Sequence, residues 1–335
     1  MVEFELYLKR NSKRIDDYLA SFFSDSPHPD IQRYLYDPLA TYTANAGKRH
    51  RPLICLLACE AVDGDPERVI SSAIAIEHFH TAALIHDDIE DRALTRRSEP
   101  CLHILEGEGL AINAGDLALS LVTGTVLADE GLDDKTKLEI LCELVAMATR
   151  TIEGQALDIG WVRDGRFDLT IDDYLLMANH KTAFYSGAVP LAIGGIGGGG
   201  TPEQVAALRD FGMATGLAFQ IQDDILNLVG AKESTKKDFR SDISEGKRTL
   251  IAVHALANSS RAARLQEILS SGTGIPAVLA EAVEIMEESG SVKFAGDYAR
   301  TLVLGAKATL ETALPKRRAR SLLLSMADFF IKRCS

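Results

Sequence analysis

In the stretch LIHDDIEDRALTRR, Leu84 to Arg97, an apolar run ends in four acids within five positions, and two adjacent arginines follow. On a helix, Asp87 and Asp91 are i,i+4 neighbours with Cβ atoms about 5–6 Å apart, and Asp88 lies beside them. Like charges so placed repel each other unless a cation bridges them. Hard divalent ions take oxygens from one or two carboxylates and fill their other positions with water and phosphate, so the cluster reads as a magnesium site. The pattern recurs in LAFQIQDDILN, where Asp223 and Asp224 close a second apolar stretch. One such cluster is what any solvated helix end carries; two, each closing an uncharged run, point to a shared purpose.

An anionic ligand held through a metal also needs direct positive charge. Candidates are Lys48, Arg49 and Arg51 in AGKRHRP, the Arg96/Arg97 pair, Lys181, Lys237 and Lys247. Arginine offers a planar two-pronged fork and lysine a point charge, both suited to phosphate. Each is also an ordinary surface salt-bridge partner when taken singly, and Arg49 is read that way.

The elements that must position these groups are helices. Apolar residues recur at three-to-four spacing through PERVISSAIAIEHFHTAALIHDDIEDRA, KTKLEILCELVAMATRTIEGQALDIGWV and TPEQVAALRDFGMATGLAFQIQDDILNLVG, and no alternating strand of five or more residues stands out. The expected fold is all-α, one large bundle over 1–335, because no linker or short repeat divides the chain. Two acid-tipped helices facing each other would enclose an apolar shaft with a carboxylate rim. Thr182 to Pro202 carries no charge, but Pro190 and GGIGGGG argue against a membrane span and for a buried helix followed by a flexible loop. The glycine run follows no strand and lacks the GxxxxGK[ST] spacing, so it reads as a hinge or turn rather than a phosphate cradle.

The chain has 335 residues, 46% apolar and 25% charged, a soluble globular composition. Acids outnumber bases 48 to 36, a formal charge of −12, which argues against nucleic acid or an anionic membrane as the main partner. Five cysteines form no paired framework, and Cys55 and Cys59 read as core thiols rather than metal ligands. The amino terminus lacks a signal-peptide core, so the expected location is cytoplasmic and the Asn258 sequon goes unused.

The motifs HTAALIHDDIEDRALTRRSEP, GLAINAGD, GKRHRP, HKTAFYSGA, FQIQDDILN and DISEGKRT resemble, in order and approximate spacing over about residues 40 to 255, those of the trans-isoprenyl diphosphate synthases, the polyprenyl synthetase family. The resemblance implies the isoprenoid synthase fold, a homodimer, magnesium on Asp87, Asp88, Asp91, Asp223 and Asp224, and isopentenyl diphosphate and an allylic diphosphate as substrates. Lys48, Arg51, His80 and Arg97 match positions that hold isopentenyl diphosphate. Arg96, Lys181, Thr182, Gln220, Lys237 and Lys247 match those around the allylic diphosphate, with Lys181, Thr182 and Gln220 near the developing cation. The implied reaction is ionisation, condensation and proton loss, with no side-chain nucleophile. Three residues depart from the pattern: Asn227 stands where many members have a third aspartate, Ser98 where glycine usually follows the arginines, and Arg240 near an expected glycine.

With Asp87 at the cavity mouth, Ala83 at i−4, Ala82 at i−5 and Phe79 at i−8 point down the shaft, each turn advancing about 5.4 Å. Family members that make fifteen-carbon products usually place an aromatic at one of the first two positions, and both are alanine in this chain. The resemblance therefore implies a deeper pocket with Phe79 as floor and a twenty-carbon product, geranylgeranyl diphosphate, with twenty-five carbons next. The first acidic motif also lacks the two-residue insertion of some bacterial short-chain enzymes. A class I terpene cyclase would share the acids but has no use for Lys48, Arg51 and Arg97. A non-catalytic partner subunit would have lost parts of the motifs, and a purely structural bundle explains none of them.

Overall fold

The computed structural model describes residues 3–23, 26–45, 47–97, 99–230 and 239–332. Among these the chain is all-α, as expected, apart from one ribbon in which Thr95–Arg96 (β1) pairs antiparallel with Glu99–Pro100 (β2). The longer helices are α1 (Glu3–Ser21), α2 (Asp37–Ala44), α3 (His50–Ala61), α4 (Ile70–Glu90), α5 (Leu102–Glu106), α6 (Glu108–Leu127), α7 (Asp134–Arg163), α8 (Ile171–Ala178), α9 (Val189–Gly197) and α10 (Pro202–Val229). They continue as α11 (Leu250–Asn258), α12 (Ala262–Ser270), α13 (Pro276–Glu288), α14 (Ser291–Ala313) and α15 (Arg318–Lys332).

Contacts within the chain group into two compact units. One comprises Met1–Ala146, Pro190–Ala206 and Leu314–Leu323; the other comprises Met147–Val189, Ala207–Ala313 and Leu324–Ser335. Each carries one of the two aspartate clusters.

In the first unit α4 is buried without a break from Ser72 to Ala82, so it is enclosed on every side rather than amphipathic. It packs on α6 through small residues, with Ala82 against a cluster that includes Ala111, Ala114 and Ala118. Helix α6 is long and apolar enough to cross a membrane by composition, at a mean hydropathy of 1.5 and 39% buried. The glycine run divides: Gly198–Gly200 form the turn expected after a buried helix, whereas Gly194, Gly195 and Gly197 are helical rather than hinge or turn. Gly194 and Gly195 lie inside α9, and a Cβ on Gly194 would stand 2.1 Å from the Cys55 carbonyl oxygen, so glycine here permits the packing of α9 on α3. Repeated glycine therefore marks close helix contact over this stretch. Cys55 and Cys59 are core thiols, as read; burial pushes both up, Cys59 to about 12.

In the second unit Thr170 caps α8, its hydroxyl accepting from the Asp173 N–H while the Asp173 carboxylate accepts from the Thr170 N–H. Beyond α8 the backbone widens into π-type turns over Asn179–Ala188, an arrangement frequent at functional sites. Gly154 of α7 lets that segment come close: a Cβ there would lie 2.2 Å from the Lys181 backbone nitrogen. The widened turns carry Lys181 and Thr182.

Candidate active site

In the first unit the end of α4 presents the acids unequally. Asp87 keeps partial exposure, whereas Asp88 is 1% exposed and accepts a hydrogen bond from the Tyr42 hydroxyl at 2.7 Å. Arg96, carried on β1, lies across both: Nη2 is 2.9 Å from Asp87 Oδ2 and Nε is 2.5 Å from Asp88 Oδ1. Burial opposes the Arg96 charge, but Asp88 and Asp87 hold its guanidinium above the ordinary range. Burial and the neighbouring Asp88 likewise raise the Tyr42 hydroxyl, so it remains a donor. Asp91 ends the helix, its N–H bonded to the Asp87 carbonyl.

The basic loop before α3 lies in the same unit. Arg51 is buried, and its Nη1 lies 3.1 Å from His80 Nε2. Guanidinium can only donate, so this nitrogen accepts and the ring is neutral with its proton on Nδ1. Burial and the Arg51 charge agree, driving His80 well below the usual histidine range. Lys48 is exposed, and Arg97, also exposed, donates from Nη1 to the Asn45 carbonyl at 2.7 Å. Arg49 departs from its reading as a surface ion-pair partner: it is 4% exposed, and its fork is engaged by Asp16 and Glu77. Of the three chain-length positions, Phe79 is buried and Ala82 is walled into the α4–α6 core, while Ala83, one turn before Asp87, keeps partial exposure.

The second unit repeats the unequal pairing. Asp223 is partly exposed; Asp224 is 7% exposed and accepts from the Tyr174 hydroxyl at 3.0 Å and from Gln220 Nε2 at 2.7 Å. The Gln220 amide oxygen in turn accepts from the Thr182 hydroxyl at 2.7 Å, giving a chain Thr182–Gln220–Asp224–Tyr174. Burial, reinforced by Asp242, raises the Asp224 carboxyl well above the carboxylate range. Burial also pushes Asp242 to about 7, against the pull of Lys247. Lys181 and Lys247 share the buried Asp158, at 2.5 and 3.6 Å. Burial penalises that carboxylate, yet the two ammonium groups outweigh it and hold it below its ordinary range.

Two departures from the motif have physical accounts. Asn227 donates from its amide to Ser241 Oγ at 3.0 Å and accepts from the Asp242 N–H at 3.2 Å, so it fastens the turn that bears Asp242. A carboxylate could not supply that donor. Arg240 stands at φ 62, the left-handed conformation that glycine adopts without strain, and its guanidinium lies over the Phe239 ring. Lys237 and Ser98 lie outside the described residues.

Sequence reasoning missed Tyr42, Tyr174, Asp158 and the Arg49–Glu77 pair. Asp158 left one trace, an isolated acid in the long amphipathic stretch before GWV. The tyrosines left none, since their partners lie 46 and 50 residues away.

Among the described residues no three acid, histidine or cysteine side chains converge as a ready-made metal cage. The first cluster nevertheless holds a cation, because Arg96 rests between Asp87 and Asp88. Magnesium is commonly bound through one or two carboxylates together with substrate phosphate rather than by an all-protein cage, and these residues fit that manner of binding.

A helical chain with two acid pairs, each tied back by a tyrosine and each accompanied by phosphate-sized cations, has the makings of an enzyme acting on diphosphates. The polyprenyl synthetase family model matches residues 32–286, and the chain belongs to that family, the trans-prenyltransferases. It is 40% identical to a short chain isoprenyl diphosphate synthase of Methanothermobacter thermautotrophicus, over 99% of each chain. Among solved structures it resembles geranylgeranyl pyrophosphate synthetase from Pyrococcus horikoshii, with a TM-score of 0.91 and 34% identity over 99% of this chain and 98% of that one. It also resembles geranylgeranyl pyrophosphate synthase from Corynebacterium glutamicum complexed with isoprenyl diphosphate and magnesium, with a TM-score of 0.85 and 26% identity over 99% of each.

Proposed function

We propose that this chain is a magnesium-dependent synthase that condenses isopentenyl diphosphate with farnesyl diphosphate to give geranylgeranyl diphosphate. The observation that carries the reading is the repeated acid pair, in which a buried tyrosine hydroxyl ties back the second aspartate and leaves the first partly exposed. Of the five aspartates expected at magnesium, Asp87, Asp91 and Asp223 are the ones exposed enough to offer oxygens, and the buried Asp88 and Asp224 are given the role of holding the helix ends from behind. The bound ions would neutralise charge on the allylic diphosphate as it departs.

This chain's own residues account for the rest. Arg96, Lys181 and Lys247 bind the allylic diphosphate, with Lys237 expected to join them. Lys48, Arg51, His80 and Arg97 hold isopentenyl diphosphate. The allylic C–O bond breaks with its electron pair going to the diphosphate, and the isopentenyl double bond attacks the allylic carbon. A proton then leaves the new chain for the released pyrophosphate. The Thr182 and Gln220 oxygens are polar but weakly basic, so they stabilise a carbocation without trapping it. Product length is set on the face of α4 that carries Asp87, with Ala83 leaving room and Phe79 as the floor.

The family match runs from 32 to 286 and draws on residues of both compact units, which supports treating 1–335 as one isoprenoid synthase domain. A homodimer is supported by the outer face of α7. There Leu138, Val145, Ile152 and Ile159 are 63%, 57%, 61% and 40% exposed, and Cys142, Thr149 and Ala156 fall between them at alternating four- and three-residue steps. That is the spacing of a helix seam awaiting another helix, and a second copy is the occupant we infer. Among the described residues Cys55, Cys59 and Cys142 are free thiols, which suits a reducing cytoplasm.

The test is incubation of purified protein with magnesium, labelled isopentenyl diphosphate and farnesyl diphosphate, with chromatography after phosphatase treatment. A twenty-carbon alcohol is expected. A longer alcohol would refute Phe79 as floor, and no incorporation from any allylic primer would overturn the reading.

A further inference from the structure

We propose that Arg49 is a positioning residue for isopentenyl diphosphate: it uses its own charge inside the protein to fix the loop from which Lys48, Arg51 and Arg97 reach the ligand. The inference rests on the reading of those three residues and His80 as the isopentenyl diphosphate subsite.

Arg49 uses all three guanidinium nitrogens. Nε is 2.7 Å from Asp16 Oδ1 on α1, Nη1 is 2.7 Å from Glu77 Oε1 on α4, and Nη2 donates at 2.5 Å to the Thr43 carbonyl at the end of α2. One side chain thereby pins the start of α3 to three other helices. Its backbone sits at φ 48, a left-handed conformation that a residue with a Cβ keeps only where its surroundings over-determine it. Glu77 is 2% exposed, so the pair is internal and its charge is balanced within the fold.

The consequence falls on the neighbours. With Arg49 turned inward, Lys48 before it is exposed, and Arg51 two residues on lies within 3.1 Å of His80. Gly47 has a guanidinium from each side: a Cβ there would be 3.2 Å from Nη1 of both Arg49 and Arg97. Arg97, itself at φ 53, is fastened to the Asn45 carbonyl on the near side of the same loop. The loop thus carries a run of like charges, and Arg49 within it is paired with the buried Glu77. Through its three partners Arg49 fixes the backbone between Lys48 and Arg51, and so the register of both with Arg97.

Replacing one partner of a buried ion pair strands the other, whereas replacing both with apolar side chains of similar volume is often neutral for stability. The double variant Arg49→Met/Glu77→Met therefore separates positioning from folding. We expect a melting temperature close to wild type, at least a tenfold rise in KM for isopentenyl diphosphate, and KM for farnesyl diphosphate and kcat within twofold. Arg49→Lys, whose point charge cannot span three partners, should fail to restore that KM. Calorimetric titration with isopentenyl diphosphate should show the same tenfold weakening. If wild type binds and the folded double variant binds equally well, or if both KM values and kcat shift together, the positioning role is overturned. If wild type itself does not bind isopentenyl diphosphate, the subsite reading falls and this inference with it. Should the double variant not fold, Asp16→Asn at a half-exposed position carries the same comparison, with a smaller selective rise in that KM expected.

Discussion

His78 lies on α4 two turns before the acid cluster, fully buried, and neither ring nitrogen has a hydrogen-bond partner among the described residues. It meets the Phe22 and Phe23 rings edge-on, at centroid distances of 4.9 and 6.0 Å. Burial lowers its pKa from 6.5 to about 4, so the folded protein takes up this proton only in stronger acid than the unfolded chain does. A depressed folded value means the associated stability is fully present above pH 6.5 and is lost as pH falls from 6.5 towards 4. Linkage puts the loss at about 2 kcal/mol by pH 5, with a limit of about 3 kcal/mol in stronger acid. His78→Phe keeps an aromatic ring against Phe22 and removes the titration. Urea unfolding followed by circular dichroism from pH 8 to pH 5 should show wild type losing about 2 kcal/mol more than the variant, with other titrations cancelling in the comparison. Parallel stability curves would refute the argument and place a hydrogen-bond partner or water at this ring.

Asp87→Ala should remove turnover while leaving the unfolding midpoint nearly unchanged, because its carboxylate is partly exposed; radiolabel incorporation at wild-type rates would remove it from the metal site. Ala83→Phe should shorten the product by about one isoprene unit, read by chromatography of the dephosphorylated alcohol, and an unchanged length would mean that this face of α4 does not line the shaft. Gly154→Ala would place its Cβ against the Lys181 backbone and shift the widened turns, so kcat should fall by roughly tenfold to a hundredfold. Unchanged steady-state kinetics would show that Lys181 does not need its present position. If the proposed homodimer forms through α7, Ile152→Glu at its exposed position should halve the mass measured by light scattering, and an unaltered mass would refute the α7 row as the contact.

What could be read from sequence were the features that local spacing determines. The acid pairs, the cationic loop and the helical class follow from residues close in sequence, whereas the placing of Arg96 across Asp87 and Asp88, nine and eight residues away, is the work of the fold. What could not be read depends on partners far along the chain. Tyr42 is an ordinary core aromatic until α4 sets Asp88 beneath its hydroxyl, and Arg49 is a surface arginine until Glu77 arrives from 28 residues away. The first half of the glycine run, helical rather than a hinge or turn, was illegible for a related reason. Its lack of side chains lowers helix propensity taken alone, yet the close approach of α9 to α3 outweighs that deficit. The left-handed Arg240 and the amide of Asn227 were visible as departures, but only their backbone setting supplies a cause.

Helix α7 has two duties separated by little more than its own diameter. Gly154 and Asp158 face the lysines of the second cluster, and Leu138, Val145, Ile152 and Ile159 form an outward row on the same rod. Ile152 and Ile159 share their turns of helix with Gly154 and Asp158, so whatever settles on those two side chains also bears on the backbone that faces Lys181 and Lys247. Coupling of this kind runs both ways: in the proposed homodimer, engaging the lysines with a diphosphate should tighten the contact between copies, and dilution should lower catalytic capacity before any part of the fold is lost.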